Sequence, residues 1–160
     1  MQLNTMRNGM TERPFIYQGK VWDKYTITAT GEVYSYKRNR RVKMNIHKKQ
    51  NNTGRGDYPA VSLTSPDKRR ADGTFKTQLI PLHIALAESF LIDTLPLPQG
   101  VTETAWRRTP KSVKEFLRKR RNMYEVNHIN HDKYDYSLEN LEWVTSEENT
   151  QKSADYYKNK

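Results

Sequence analysis

The sequence predicts an α+β chain with an N-terminal antiparallel β-sheet module, connecting helices and a C-terminal strand–loop–strand–helix (ββα) unit. Short β-prone runs separated by Gly turns fill the first half. The run Leu82–Leu91 is mostly apolar and reads as a short, mostly buried helix. Near the C-terminus two β-prone runs are followed by Thr145 and, three residues on, Glu148, the spacing of a helix-starting capping box.

Composition sets the limits. Only 30 of the 160 residues are Leu, Ile, Val or Phe, and the net charge is +10, close to the composition of a disordered chain. Ten Tyr and three Trp argue for a thin, aromatic-rich core instead. No apolar run approaches the roughly 18 residues of a membrane span. There is no cysteine, which excludes disulfides, thiolate zinc sites and a cysteine nucleophile. The first residues carry no apolar leader, so the expected location is the cytoplasm.

Residues 1–20 mix polar types without a period and are expected to form a tail. Residues 21–80 make a basic β-rich module. In it, Tyr25–Thr28 and Glu32–Tyr36 form a hairpin through Gly31, 48–57 is a loop, and Tyr58–Leu63 and Phe75–Leu79 are further strands, the last preceded by an Asp72-Gly73 turn. Residues 81–123 hold the packing helix at 82–91, a Pro- and Gly-containing connector over 92–108, and a basic helix with Thr109 as N-cap and Pro110 in its first turn. Residues 124–158 are the ββα unit: strands over 124–129 and 141–145, a polar loop between them, and a helix from Ser146 to about Tyr157.

The positive charge is concentrated. Residues 37–121 hold 20 Lys and Arg against 7 Asp and Glu, whereas 125–160 hold 4 against 8. The clusters at Lys37, Arg38, Arg40 and Arg41, at Lys68, Arg69 and Arg70, and at Lys114, Arg118 and Arg121, with tyrosines among them, predict a polyphosphate partner, because Lys and Arg release the counterions condensed on nucleic acid.

The residues able to do chemistry lie in the ββα unit. The imidazole of His128 can accept a proton from water near neutral pH. Amide oxygens of Asn127 and Asn149 are hard ligands for Mg²⁺ or a similar ion, and such an ion stabilises charge in phosphoryl transfer. Brought together by a hairpin and a short helix, these groups would form a one-metal phosphodiesterase. In a regular strand Asn127 and His128 face opposite sides, so one shared site requires a bend, a bulge or a strand end there. The pair His128 and His131 has no cysteine or further nearby His with which to build a zinc site.

Val126-Asn127-His128-Ile129-Asn130, then Leu138-Glu139-Asn140-Leu141-Glu142-Trp143-Val144-Thr145, then Glu148-Asn149 resemble the HNH endonuclease motif, with its ββα-metal fold, in the branch found in phage and intron-encoded homing endonucleases. Leu82–Phe90 is similar to the helix that precedes the motif in that branch, and residues 22–63 to its strand-rich DNA-binding module. The resemblance implies that His128 is the general base, that Asn127 and Asn149 hold one divalent metal, Mg²⁺ or Mn²⁺, and that Asn140 braces the loop. It also implies a 5′-phosphate product. His83, on the preceding helix, is a candidate support for the site. The implied protein is a monomeric, nicking DNA endonuclease acting on double-stranded DNA, with no membrane or small-molecule substrate. Many members carry Asp where this chain has Asn127, and Ile84 stands where an Arg is common. The missing carboxylate motivates the alternative, a catalytically inactive HNH-fold protein that binds DNA or RNA.

Overall fold

The computed structural model describes residues 5–7, 10–47, 58–121 and 123–158. The loop expected over 48–57 lies outside the described residues.

Strands β1 (Thr5–Arg7), β2 (Met10–Tyr17), β3 (Lys20–Thr28), β4 (Val33–Ser35) and β5 (Arg40–Arg41) form an antiparallel sheet in that order. The tail expected over 1–20 is therefore corrected: β2 is part of this sheet, and Phe15 is fully buried in the core. Its polar look misleads because Glu12 is also buried, accepting a hydrogen bond from Thr26 Oγ1 at 3.1 Å. Pro14, lacking an N–H, sits beside a register shift against β3. The β3–β4 hairpin turns through Gly31, whose φ of +81° suits glycine. A Cβ there would also come within 2.8 Å of Tyr136, in the loop of the C-terminal unit. This turn thus anchors the N-terminal sheet against that unit.

A second antiparallel sheet holds β6 (Met44–His47), β7 (Tyr58–Arg69) and β8 (Phe75–Pro81), with a shift in register near the far end of β7. Helix α1 (Leu82–Phe90) follows directly. It lacks a polar face because it is packed on more than one side, as its apolar sequence requires. Ala85 and Leu86 join Phe15, Trp22, Ile27, Leu63, Ile80 and Leu141 in one cluster, while Ala87 joins Ile92, Leu95, Trp106, Tyr124 and Trp143 in another.

The connector over 92–108 contains a 3₁₀ turn at Ile92–Thr94 and a short helix, α2 (Glu103–Arg108), capped by Thr102. Thr109 ends α2, donating its hydroxyl to the Ala105 carbonyl, and does not cap the next helix. That helix, α3 (Lys111–Arg121), starts from Pro110, whose carbonyl accepts from the N–H groups of Val113 and Lys114. The last elements are β9 (Tyr124–His128), a 3₁₀ turn at Leu138–Asn140, β10 (Leu141–Thr145) and α4 (Ser146–Lys158). The capping box forms: Glu148 N–H donates to Thr145 Oγ1 at 3.2 Å, and Thr145 N–H to Glu148 Oε2 at 2.8 Å. Among the described residues no helix is long and apolar enough to cross a membrane.

Candidate active site

Strands β9 and β10 pair in unbroken antiparallel register from His128↔Leu141 to Tyr124↔Thr145. The bulge that would turn Asn127 and His128 to one side is absent, and β9 simply ends at His128. Alternation then gives the hairpin two chemically different faces. Of the irregularities that one shared site requires, the strand end is the one present.

One face packs on α1. It carries Tyr124, Val126 and His128, with Trp143 and Leu141 across the strand pair, and it is tied down by Trp143 Nε1 donating to the Leu91 carbonyl at 2.9 Å. His128 is only 6% exposed. Its ring lies 4.9 Å from that of His83 on α1 and is stacked 5.8 Å from Tyr58 of β7, while Tyr58 and His83 are 4.5 Å apart. Nε2 of His128 and Nδ1 of His83 are both buried without a hydrogen-bond partner among the described residues. Burial lowers the His128 pKa below the ordinary imidazole value, opposed by the carboxylates of Asp132 and Asp135 and assisted by Lys133. Burial, and then the neighbouring His128, lowers His83 to about 3.

The other face packs on α4. Asn127 stands opposite Glu142 and donates Nδ2–H to Glu142 Oε1 at 2.8 Å. Glu125, two residues earlier, accepts from Asn149 Nδ2 at 2.5 Å and from Ser146 Oγ at 2.8 Å. Lys152 Nζ reaches Glu142 Oε1 at 2.6 Å. Asn127, Glu142 and Lys152, with Ile129, His131, Asp155 and Tyr156, line an open cleft of about 420 Å³. Its rim carries His131, with φ of +61°, stacked 4.1 Å from Tyr156.

Between the strands, Asn140 holds the loop. Its Oδ1 accepts from Asn130 N–H at 2.9 Å, and its Nδ2 donates to Asn130 Oδ1 at 2.9 Å and to the Asp135 carbonyl at 2.7 Å. Its own carbonyl accepts from Ile129 N–H. Asp132 and Asp135 are turn formers, accepting from the N–H groups of Tyr134 and Ser137.

The donors present suit a hard divalent cation, since carboxamide and carboxylate oxygens gather on the α4 face. Among the described residues no cluster of three His, Cys, Asp or Glu makes a metal site by itself, so any such site depends on the amides.

The basic residues divide. Lys37, Arg38, Arg40, Arg41, Lys68, Arg69 and Arg70 are exposed on the β-rich module. Arg41 pairs with Glu32, and Arg69 donates to the Gly73 carbonyl. Lys114 and Arg118 do not form the phosphate-facing surface expected of α3. Lys114 is 5% exposed and lies over the Trp106 ring. Arg118 pairs with the buried Glu88 at 2.6 Å and lies over Trp143. The helix is thin in apolar residues, and the charged ends of these two side chains cover the tryptophan rings as cation–π contacts. Arg121 lies at the end of α3. Sequence reading missed Glu125, Glu142, Lys152 and Tyr58 as neighbours of the site. The i, i+2 spacing of Glu125 and Asn127 was the available signal for the first.

Residues 119–151 match the family model described as HNH endonuclease. No curated protein matches the chain. A solved structure described as "DNA binding and cleavage by the HNH homing endonuclease I-HmuI" shares the fold, with a TM-score of 0.52 and 22% identity over 92% of this chain. The match spans 59% of that longer chain. The family match falls on the hairpin, loop and helix that present Asn127, His128, Asn140 and Asn149, and the likeness to the HNH endonuclease family rests on this unit.

Proposed function

We propose that the protein is a divalent-metal-dependent DNA endonuclease of the homing type that nicks double-stranded DNA as a monomer, with His128 as general base. The observation that carries this reading is the His128 imidazole, held neutral by burial at the end of β9 with Nε2 uncommitted. A buried ring nitrogen without a partner costs stability, and such groups concentrate where chemistry requires them. His83 and Tyr58 fix the ring plane. Because β9 stops at His128, a phosphodiester laid across the hairpin end would be within reach of both faces. His128 would take the proton of an attacking water.

Asn127 and Asn149 would hold Mg²⁺ or Mn²⁺ on the α4 side; when bound, the ion offsets charge on the phosphate and on the leaving 3′ oxygen. The exposed cations of the β-rich module would position the duplex through its phosphates, a contact that is independent of sequence.

A second reading is favoured by the separation of Asn127 and His128 on opposite faces and by the amide at position 127. Here the unit keeps its fold and binds DNA or RNA without cutting. Incubation with supercoiled plasmid and Mg²⁺ or Mn²⁺ separates the two. Metal-dependent open circles with the parent, lost with His128→Ala, support the enzyme. Retarded but intact plasmid with both supports the binder.

A further inference from the structure

Asn127 and Asn149 are neutral, but their immediate partners are not. Asn127 Nδ2 donates to Glu142 at 2.8 Å and Asn149 Nδ2 donates to Glu125 at 2.5 Å. The register sets Glu142 directly across from Asn127, and alternation puts Glu125 on the same face. Each amide thus commits an N–H to a separate carboxylate, which fixes its flip and turns the carbonyl oxygen away from that carboxylate. Donation to an anion also polarises an amide, raising the negative charge on its oxygen. The cleft of about 420 Å³ beside Asn127 and Glu142 has room for a cation that keeps part of its water shell.

Resting on the assignment of Asn127 and Asn149 as ligands, we propose that Glu142 and Glu125 are positioning residues of the cation site: they orient the two amides and supply from behind them the negative charge that position 127 lacks. Lys152 opposes this effect, because its ammonium lies 2.6 Å from Glu142 Oε1. Glu125 also accepts from Ser146 and Glu142 from Lys152, so both carboxylates help to dock α4, and Glu142, which lines the cleft, is the one probed.

The test is Mn²⁺ binding to the full chain, by titration calorimetry and electron paramagnetic resonance, with thermal melts as a check on folding. Partners behind a ligand typically govern 10- to 100-fold in metal affinity. Glu142→Gln should weaken Mn²⁺ binding by about 10-fold, and Lys152→Met should tighten it. In an Asn127→Asp background the carboxylate becomes a ligand itself, so adding Glu142→Gln should cost far less than in the parent. Equal Mn²⁺ affinity in the parent, Glu142→Gln and Lys152→Met overturns the role of Glu142 while leaving the ligands standing. Absence of Mn²⁺ binding in both the parent and Asn127→Asp overturns the ligand assignment and this inference with it.

Discussion

The rings of His83 and His128 lie 4.9 Å apart, each with a buried ring nitrogen that has no hydrogen-bond partner among the described residues. Two imidazoles so placed cannot both be charged. Burial, and then the neighbouring His128, lowers His83 to about 3. An unfolded chain returns it to about 6.5, so the unfolded state takes up more protons between these values. The stabilisation is complete above pH 6.5 and is lost as pH falls through that window. Urea melts at pH 7 and pH 5 should differ by about 2 kcal/mol, with the protein weaker at pH 5. His83→Phe should remove most of that difference while keeping a ring against Tyr58. An unchanged pH dependence in the variant would contradict the buried neutral imidazole.

Arg118 should behave as a structural residue. It faces the 1%-exposed Glu88 carboxylate, so Arg118→Ala leaves a buried charge unpaired. The expected loss is about 3 kcal/mol, read as a fall in the denaturation midpoint. Arg118→Met, which replaces the guanidinium with an unbranched apolar side chain beside Trp143, combined with Glu88→Gln should recover much of it.

Asn140 should matter through the loop it braces. Asn140→Ala removes side-chain bonds to Asn130 and to the Asp135 carbonyl. Stability should drop by about 2 kcal/mol, and amide hydrogen exchange should rise in residues 129–137 more than in β9. Uniform exchange across the unit would instead indicate global loosening.

How much of this was legible in the sequence depended on the range of the interaction. The capping box at Thr145 and Glu148, the Gly31 turn and the apolar α1 helix are local patterns, and each appears close to its expected position. The misplaced parts were set by tertiary packing. Strand β2 carries a buried glutamate and a proline, so no alternation announces it. Lys114 and Arg118 look like a cationic helix face until Trp106, Trp143 and Glu88 are brought beneath them. The motif singles out Asn127, His128, Asn140 and Asn149 as candidates, but the division of Asn127 and His128 between two faces follows from register, which no motif spells out.

The exposed cations should act on nucleic acid alone. Neutralising Lys37, Arg38 and Arg40 together should leave the melting temperature unchanged and weaken duplex binding. The slope of log affinity against log salt should become shallower by roughly 0.9 for every phosphate that the protein no longer neutralises. A salt dependence equal to the parent's would place the duplex elsewhere.

Cleavage of supercoiled DNA under single-turnover conditions, with His128→Ala beside the parent and imidazole added back, tests the catalytic role of His128 most directly. The parent should nick in Mg²⁺ or Mn²⁺, the variant should lose on the order of 100-fold or more, and free imidazole should restore part of the rate. Parent-level nicking by the variant, or DNA bound but uncut by the parent in both metals, would contradict it.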